Sequence, residues 1–396
     1  MRATVQAKDL ADAVAWLGKV VRRTSSDAHG SRDLTQVQSA VHLTAEDGRL
    51  VLQATDLDVW ATAEVEATVD TPGTAILHAK LVTEVAGRLR KAPVTLELEG
   101  TALTLTCGAM VLHARTMNVA WPQFPAVPTE IGRVKAEALR DAVARVAPGV
   151  GEPEADPPFR SISADTADTL TLAATDRRRL AVARVALEPV LGYTGDAGVL
   201  LPATLVAVAQ GLPKSGDASL HLDPVSTATQ GARRFGLSWP GRSVSAGTVM
   251  GVAAPYARTL AIAKPVLTAA VDRAELVDAI RRVVPAAERD KVKAIRMDLT
   301  FTPGELELTG ASAAGEAREA VEAEYDGPEI PLHLNAQYLL DALEATGGER
   351  VHIGLAKTDT DPRKHATLMI TNPQDPNYMH VVTLIRQAVA LARKAA

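Results

Sequence analysis

Three passages in this 396-residue chain follow the same order of elements, and that repeat limits the fold more than any other feature. The first element reads Lys8-Asp9-Leu10-Ala11-Asp12-Ala13-Val14, then Glu137-Ala138-Leu139-Arg140-Asp141-Ala142-Val143, then Ala274-Glu275-Leu276-Val277-Asp278-Ala279-Ile280. Leu10, Leu139 and Leu276 stand 129 and 137 residues apart. Apolar residues at i, i+3 or i+4 and i+7 predict an amphipathic helix each time. The second element is a strand running into a turn, at 50–56, at 170–176 and more loosely at 306–312. Alternating runs at 60–65 and 180–185 supply hairpin partners for the first two. The third element, at 76–82, 200–206 and 332–338, is a strand feeding a second helix. Further alternating strands follow at 94–98, 218–222 and 351–355.

Each unit of about 130 residues thus carries two helices and several strands, which predicts an α+β fold of three repeated domains. In each, two helices pack on an antiparallel sheet. Proline gathers at 122–128 and 254–265, so the domains are expected at 1–126, 127–262 and 263–396. The Pro- and acid-rich stretch 151–158 reads as an exposed loop in the second unit, and 24–35 as a polar loop in the first.

Enzyme signatures are missing. No phosphate-binding Gly-x-x-x-x-Gly-Lys loop, dinucleotide-binding Gly-x-Gly-x-x-Gly or Gly-x-Ser-x-Gly elbow occurs. Cys107 is the single cysteine, so neither a disulfide framework nor a cysteine zinc site can form within one chain. The nine histidines are scattered without metal-ligand spacing, and no cofactor is expected. His78 and His333 occupy nearly equivalent places before a helix and read as structural. Asp56 and Asp176 each follow a Thr at a strand end, where an Asp side chain satisfies the backbone N–H groups of a turn. Asp12, Asp141 and Asp278 recur mid-helix and read as solvated or paired with Arg. The longest uncharged stretch, 197–213, is too polar to span a membrane, and no secretory leader is evident, so a reducing cytoplasm is the expected location.

The net charge of −5 argues against a chain coated in nucleic acid, yet positive charge recurs along the helices. Lys8, Lys19, Arg22 and Arg23 lie along the first; Arg133, Lys135, Arg140 and Arg145 on or before the second; Arg273, Arg281 and Arg282 along the third. Lys80, Arg88, Arg90 and Lys91 belong to the second helix of the first unit. On one helix this is an ordinary solvated face. Repeated, it predicts a basic surface that would hold DNA through phosphates without reading bases. Four Trp, five Tyr and four Phe leave few rings to stack on single strands.

In this order and spacing the chain resembles the bacterial DNA polymerase sliding clamps, the beta subunits of replicative polymerases, over essentially its full length. The most specific segments are Ala54-Thr55-Asp56-Leu57-Asp58, Phe124-Pro125 and Ala174-Thr175-Asp176-Arg177-Arg178-Arg179-Leu180-Ala181-Val182. To these is added Tyr325-Asp326-Gly327 running into Leu334-Asn335-Ala336-Gln337-Tyr338-Leu339-Leu340-Asp341-Ala342-Leu343. The resemblance implies a non-catalytic processivity factor. It also implies a head-to-tail homodimer closed around duplex DNA, with helices lining the hole at Lys19, Arg22, Arg23, Lys80, Arg88, Arg140, Arg145, Arg281 and Arg282. It further implies a pocket between the second and third domains for short peptides of the polymerase, the clamp loader and repair proteins. Its walls would be Thr175, Arg177, Arg178, Arg179 and Leu180; Ala254, Arg258 and Thr259; Val292, Asn335 and Tyr338; and Val381, Thr383, Leu384, Ile385 and Arg386.

The departures from the family pattern cluster at that pocket. Arg177 stands where relatives usually have Gly, Ala254 where they usually have Pro, and the chain continues past Arg386 to a basic, Ala-rich end at Ala396. They suggest a divergent or second-copy clamp with altered pocket specificity, one that would tolerate pocket-blocking inhibitors. Two rival readings are an α+β enzyme built by triplication, which needs a cluster of unlike titratable groups in one repeat, and a ring-forming scaffold that no longer encircles DNA.

Overall fold

The computed structural model describes residues 1–21, 32–167, 169–224, 233–288, 295–356 and 367–385. The leading helix of each repeat is present, at Ala7–Leu17, Ala136–Val146 and Arg273–Val283. Each buries one apolar stripe: Leu10, Ala13, Val14 and Leu17 in the first, Leu276, Ala279, Ile280 and Val283 in the third. The third is capped by Asp272, whose carboxylate accepts the Glu275 N–H at 2.9 Å. The second helices span Ala79–Ala86, Thr204–Ala209 and Ala336–Thr346. Asp278 pairs with Arg281 at 3.7 Å, the helix-surface role expected of it.

One expected loop and one expected domain boundary carry structure. The polar loop at 24–35 gives way to a helix at Arg32–Gln38. The proline-rich stretch 254–265 contains the helix Tyr256–Ile262, entered at Pro255, where proline's fixed φ suits a helix start.

Among the described residues the strands pair antiparallel, and the chain divides into two compact units. The first comprises Met1–Arg140, Ala186–Thr194 and Leu201–Met250. In its 13-stranded sheet, Val59–Thr71 pairs with Arg242–Gly247, so strands of the first and second repeats run on without a break. Val59 faces Ala246, Ala61 faces Val244 and Ala63 faces Arg242. Ala61, Ala63, Val244 and Ala246 are buried along this join. Trp16 reinforces it: its indole N–H donates to the Val208 carbonyl at 3.3 Å, and its ring meets Trp239 edge-on at 5.3 Å. Gly211 gives the indole room, since a Cβ there would lie 2.2 Å from the Trp16 ring.

The second unit comprises Asp141–Val185, Gly195–Leu200 and Gly251–Ala396. It repeats the join: Arg179–Ala186 pairs with Asp375–Thr383, with Arg179 opposite Val382 and Leu180 opposite Val381. Beneath it, the Tyr378 hydroxyl donates to the Arg145 carbonyl at 3.0 Å and lies 2.9 Å from the His380 ring.

His380 makes this join acid-sensitive. Burial holds its imidazole neutral, with the pKa pushed down to about 3 from 6.5. Between these values the unfolded chain binds a proton that the folded chain refuses. Stability is therefore full above pH 6.5 and is lost as the pH falls toward 3, by about 2 kcal/mol at pH 5 from His380 alone. Burial lowers His42 and His221 in the same direction. We expect a lower Tm at pH 5 than at pH 7.5, and a shallower pH dependence in His380→Leu whatever its absolute Tm. An unchanged slope in that variant would refute the assignment.

Candidate functional site

Within the second unit, a cavity of about 210 Å³ opens beside the strand join. Its shape begins with a turn. Thr175 donates its hydroxyl to the Arg179 carbonyl at 2.7 Å and accepts the Arg177 N–H at 3.2 Å. Asp176 accepts the N–H groups of Arg178 and Arg179, both at 2.9 Å. The first repeat builds the same turn with Thr55 and Asp56, so both aspartates have the backbone role their sequence context suggests. In each turn the residue after Asp takes a left-handed conformation, φ +78° at Leu57 and +73° at Arg177. For a side chain larger than glycine this costs about 1 kcal/mol.

The turn aims three arginines differently. Arg179 is the most enclosed, with Nε donating to Asp176 at 3.0 Å and Nη1 to Asp341 at 2.5 Å, and its plane 4.4 Å from the Tyr338 ring centre. Arg177 forms an ion pair with Asp156 and lies over the Phe159 ring at 4.1 Å. Arg178 is exposed, and its carbonyl accepts both the N–H and the hydroxyl of Thr383 at 2.8 Å.

Of the pocket residues named from sequence, Thr175, Arg177, Arg179, Leu180, Ala254, Thr259, Val381 and Thr383 line this cavity. Tyr338 joins it through Arg179, and burial raises its phenol above the ordinary range. Asn335 caps the helix below, accepting the Gln337 N–H at 3.0 Å. Arg258 is exposed on the helix Tyr256–Ile262. Leu384 packs on the core of the third repeat, and the Ile385 N–H donates to the His333 carbonyl at 2.7 Å. Val292, Arg386 and the end of the chain from 387 to 396 lie outside the described residues.

Four lining residues were not named in advance: Phe159, Pro255, Tyr256 and Thr367. Tyr256 hydrogen-bonds Asp165, and burial together with that bond raises its phenol well above the usual tyrosine range. Its position just after a proline run was the available signal. Phe159 belongs to a loop brought to the cavity by strand pairing, which no local pattern announces.

The basic residues named for DNA differ in availability. Lys19, Lys80 and Arg88 are exposed. Arg140 is half-buried and 3.8 Å from Glu137. Arg281 donates to Glu344 at 2.8 Å, and Arg282 grips Glu319 through Nε at 2.9 and 3.1 Å. Arg145 is turned inward. Its guanidinium donates to the Ala345 and Thr346 carbonyls at 2.7 and 3.2 Å and to Asp375 at 2.6 Å, and lies 3.9 Å from the Tyr378 ring centre. Arg22 and Arg23 lie outside the described residues.

Among the described residues no group of His, Cys, Asp and Glu could hold a metal ion, and no helix is long and apolar enough to cross a membrane.

The comparisons agree with this architecture. Residues 1–128 match the family model "DNA polymerase III beta subunit, N-terminal domain", and residues 264–386 match the corresponding C-terminal domain. The beta sliding clamp of Micrococcus luteus is 31% identical over 324 residues, covering 81% of this chain and 98% of that protein. That of Streptomyces coelicolor is 29% identical over 348 residues, covering 87% of this chain and 88% of that protein. In fold, the chain superposes on the DNA polymerase III beta subunit of Thermotoga maritima with a TM-score of 0.83 at 20% identity, covering 98% of this chain and all of that one. A tripled α+β module, with strands running on from repeat to repeat, is thus matched in sequence as well as in fold, and the chain belongs to the bacterial DNA polymerase III beta sliding clamps, non-catalytic processivity factors of that polymerase.

Proposed function

We propose that two copies of this chain close head to tail into a ring around duplex DNA, each built of three domains at 1–126, 127–262 and 263–396, and that the cavity beside Leu180 tethers the polymerase and the clamp loader by short peptides. The repeated strand join carries this reading. In each join, the second strand of one repeat's hairpin pairs with the last strand of the next repeat. Two edges of the same kinds are left among the described residues: Met110–Arg115, which pairs only with Ala102–Cys107, and the start of Gly315–Glu324, which pairs only with Glu305–Ser312.

The register carries over. Val59 faces Ala246, four residues past Arg242, where that strand leaves its hairpin turn. Arg179 faces Val382, the corresponding place once the bulge between Thr371 and Asn372 is allowed for. By the repeat, Gly315 takes the place of Val59, and Met110 that of Arg242. Gly315 of one copy then faces Ala114 of the other, and Ala317 faces Leu112. On the opposite face His113 meets Glu316, and Val111, which is 54% exposed in the single chain, meets Arg318. Such a contact covers both open edges, and its rotation closes.

The ring would hold DNA by enclosure, so phosphate contacts from Lys19, Lys80, Arg88, Arg140 and Arg281 can stay weak enough to permit sliding. The test is retention. Loaded on nicked circular plasmid, the protein is expected to co-elute with DNA at 200 mM salt and to be released when the plasmid is linearised. Equal retention on both forms would contradict the reading.

A further inference from the structure

Resting on the reading of the two open edges as the ring contact, we propose that His113 and Glu316 form a proton-operated clasp, so that the ring closes more tightly once the imidazole carries a charge. His113 of one copy would stand opposite Glu316 of the other, once at each of the two contacts. The single chain already holds both side chains ready for such a partner. His113 is exposed on the strand Met110–Arg115, and its Nδ1 lies 3.0 Å from the Thr104 hydroxyl on the neighbouring strand Ala102–Cys107. The two nitrogens of an imidazole point nearly opposite ways, and a bond at one sets the aim of the other. With Nδ1 held toward Thr104, Nε2 is turned to the unpaired side of the edge strand, and it has no partner among the described residues.

Glu316 is equally available. Its side chain is 56% exposed, and Oε1 meets Arg318 at 3.5 Å, a pair that solvent screens. Its second oxygen has no partner among the described residues, and Arg318 is shared with Glu307 at 3.6 Å. The other charges around His113 do not take the place of Glu316. Arg115, on the same exposed face of the same strand, is positive. On the neighbouring strand Ala102, Thr104 and Thr106 stand opposite Arg115, His113 and Val111, and none is charged. Beyond them Glu97, opposite Thr104, is held by Arg2 at 3.4 Å. The incoming strand brings Glu316 and Arg318 to this face, backed by the uncharged Ala311 and Thr309. Carboxylates and guanidinium groups ordinarily keep their charge between about pH 6 and 8, where an imidazole changes its own. A proton on His113 turns its hydrogen bond to Glu316 into an ion pair. The closed ring then binds that proton more strongly than the single chain does, so closure tightens as the pH falls and loosens as it rises.

Fluorescence-detected sedimentation of the labelled full chain at pH 6.0 and pH 8.0 tests this, with circular dichroism as the control for folding. The dimer dissociation constant is expected to be about tenfold lower at pH 6.0 in low salt, with the ratio shrinking at 500 mM salt. His113→Gln can still bond Thr104 but cannot take up a proton, and it should bring the two values within about twofold. Glu316→Gln should do the same, and the double variant should add nothing further. His113→Lys, charged at both pH values, should close tightly at both. A parent dimer equally tight at the two pH values, or a difference that survives His113→Gln, would overturn the proposal and leave the ring standing. If neither the parent nor His113→Lys forms a dimer at either pH, the contact itself is wrong and this inference falls with it.

Discussion

Leu112→Asp is expected to run as a monomer of 41.7 kDa where the parent runs at twice that mass. Leu112 is only half-buried in the single chain, on the inward side of an edge strand next to buried Ala114. At the corresponding places of the two intact joins, the inward residues are closed over by the adjoining strand: Val244 by Ala61, and His380 by Ala181. Opposite Ala317 of a second copy, Leu112 would complete that core, and a carboxylate there would be buried unpaired. Such a group costs about 3 kcal/mol or more at each of the ring's two contacts, together on the order of 10⁴-fold in the dimer dissociation constant. The fold of the single chain should hardly change, because the edge faces solvent without a partner. Light scattering across a concentration series, with circular dichroism as the control, reads both outcomes. An unchanged dimer would place the contact elsewhere.

The second large effect falls on Arg145. It closes the C-terminal end of the helix Ala336–Thr346 by donating to two of its last carbonyls, pairs with Asp375 and stacks on Tyr378. Cations at helix C-termini are stabilising, and removing one partner from a partly buried pair leaves a carboxylate and two carbonyls unsatisfied. Arg145→Ala is therefore expected to cost about 3 kcal/mol, lowering Tm by about 6–10 °C in a unit of this size. Lysine should restore little, because it cannot reproduce the planar fork. Were Arg145 a phosphate contact instead, its loss would weaken DNA retention and reduce the salt slope with little change in Tm.

That contrast marks how far the sequence could be read. Periodicity placed the leading helices at Leu10, Leu139 and Leu276, because an amphipathic stripe is a local signal. It could not say what docks against Arg145, whose partners lie some 200 to 230 residues onward. Repetition of Thr-Asp after a strand announced both turns, since the hydrogen bonds that make them are local. The helix Tyr256–Ile262 escaped notice because seven residues between prolines give too short a period. At the cavity, eight lining residues were legible through the resemblance, whereas Phe159 arrives from a loop and Thr367 from a distant strand. The orientation of Arg177 also depends on a positive φ that only the three-dimensional turn displays.

A covalent closure of the ring tests the central claim most directly. Cys107 is the only cysteine and is buried, so Leu112→Cys combined with Ala317→Cys adds one thiol at each proposed edge. Directly opposed residues of antiparallel strands have Cα atoms about 4.5–5.5 Å apart, within disulfide range. Oxidised on nicked circular plasmid, the protein should form a doubly linked dimer that stays with the DNA through denaturing detergent and leaves only when the plasmid is cut. A dimer that fails to link, or one that leaves uncut circles in detergent once both links have formed, would contradict enclosure of DNA by a head-to-tail pair.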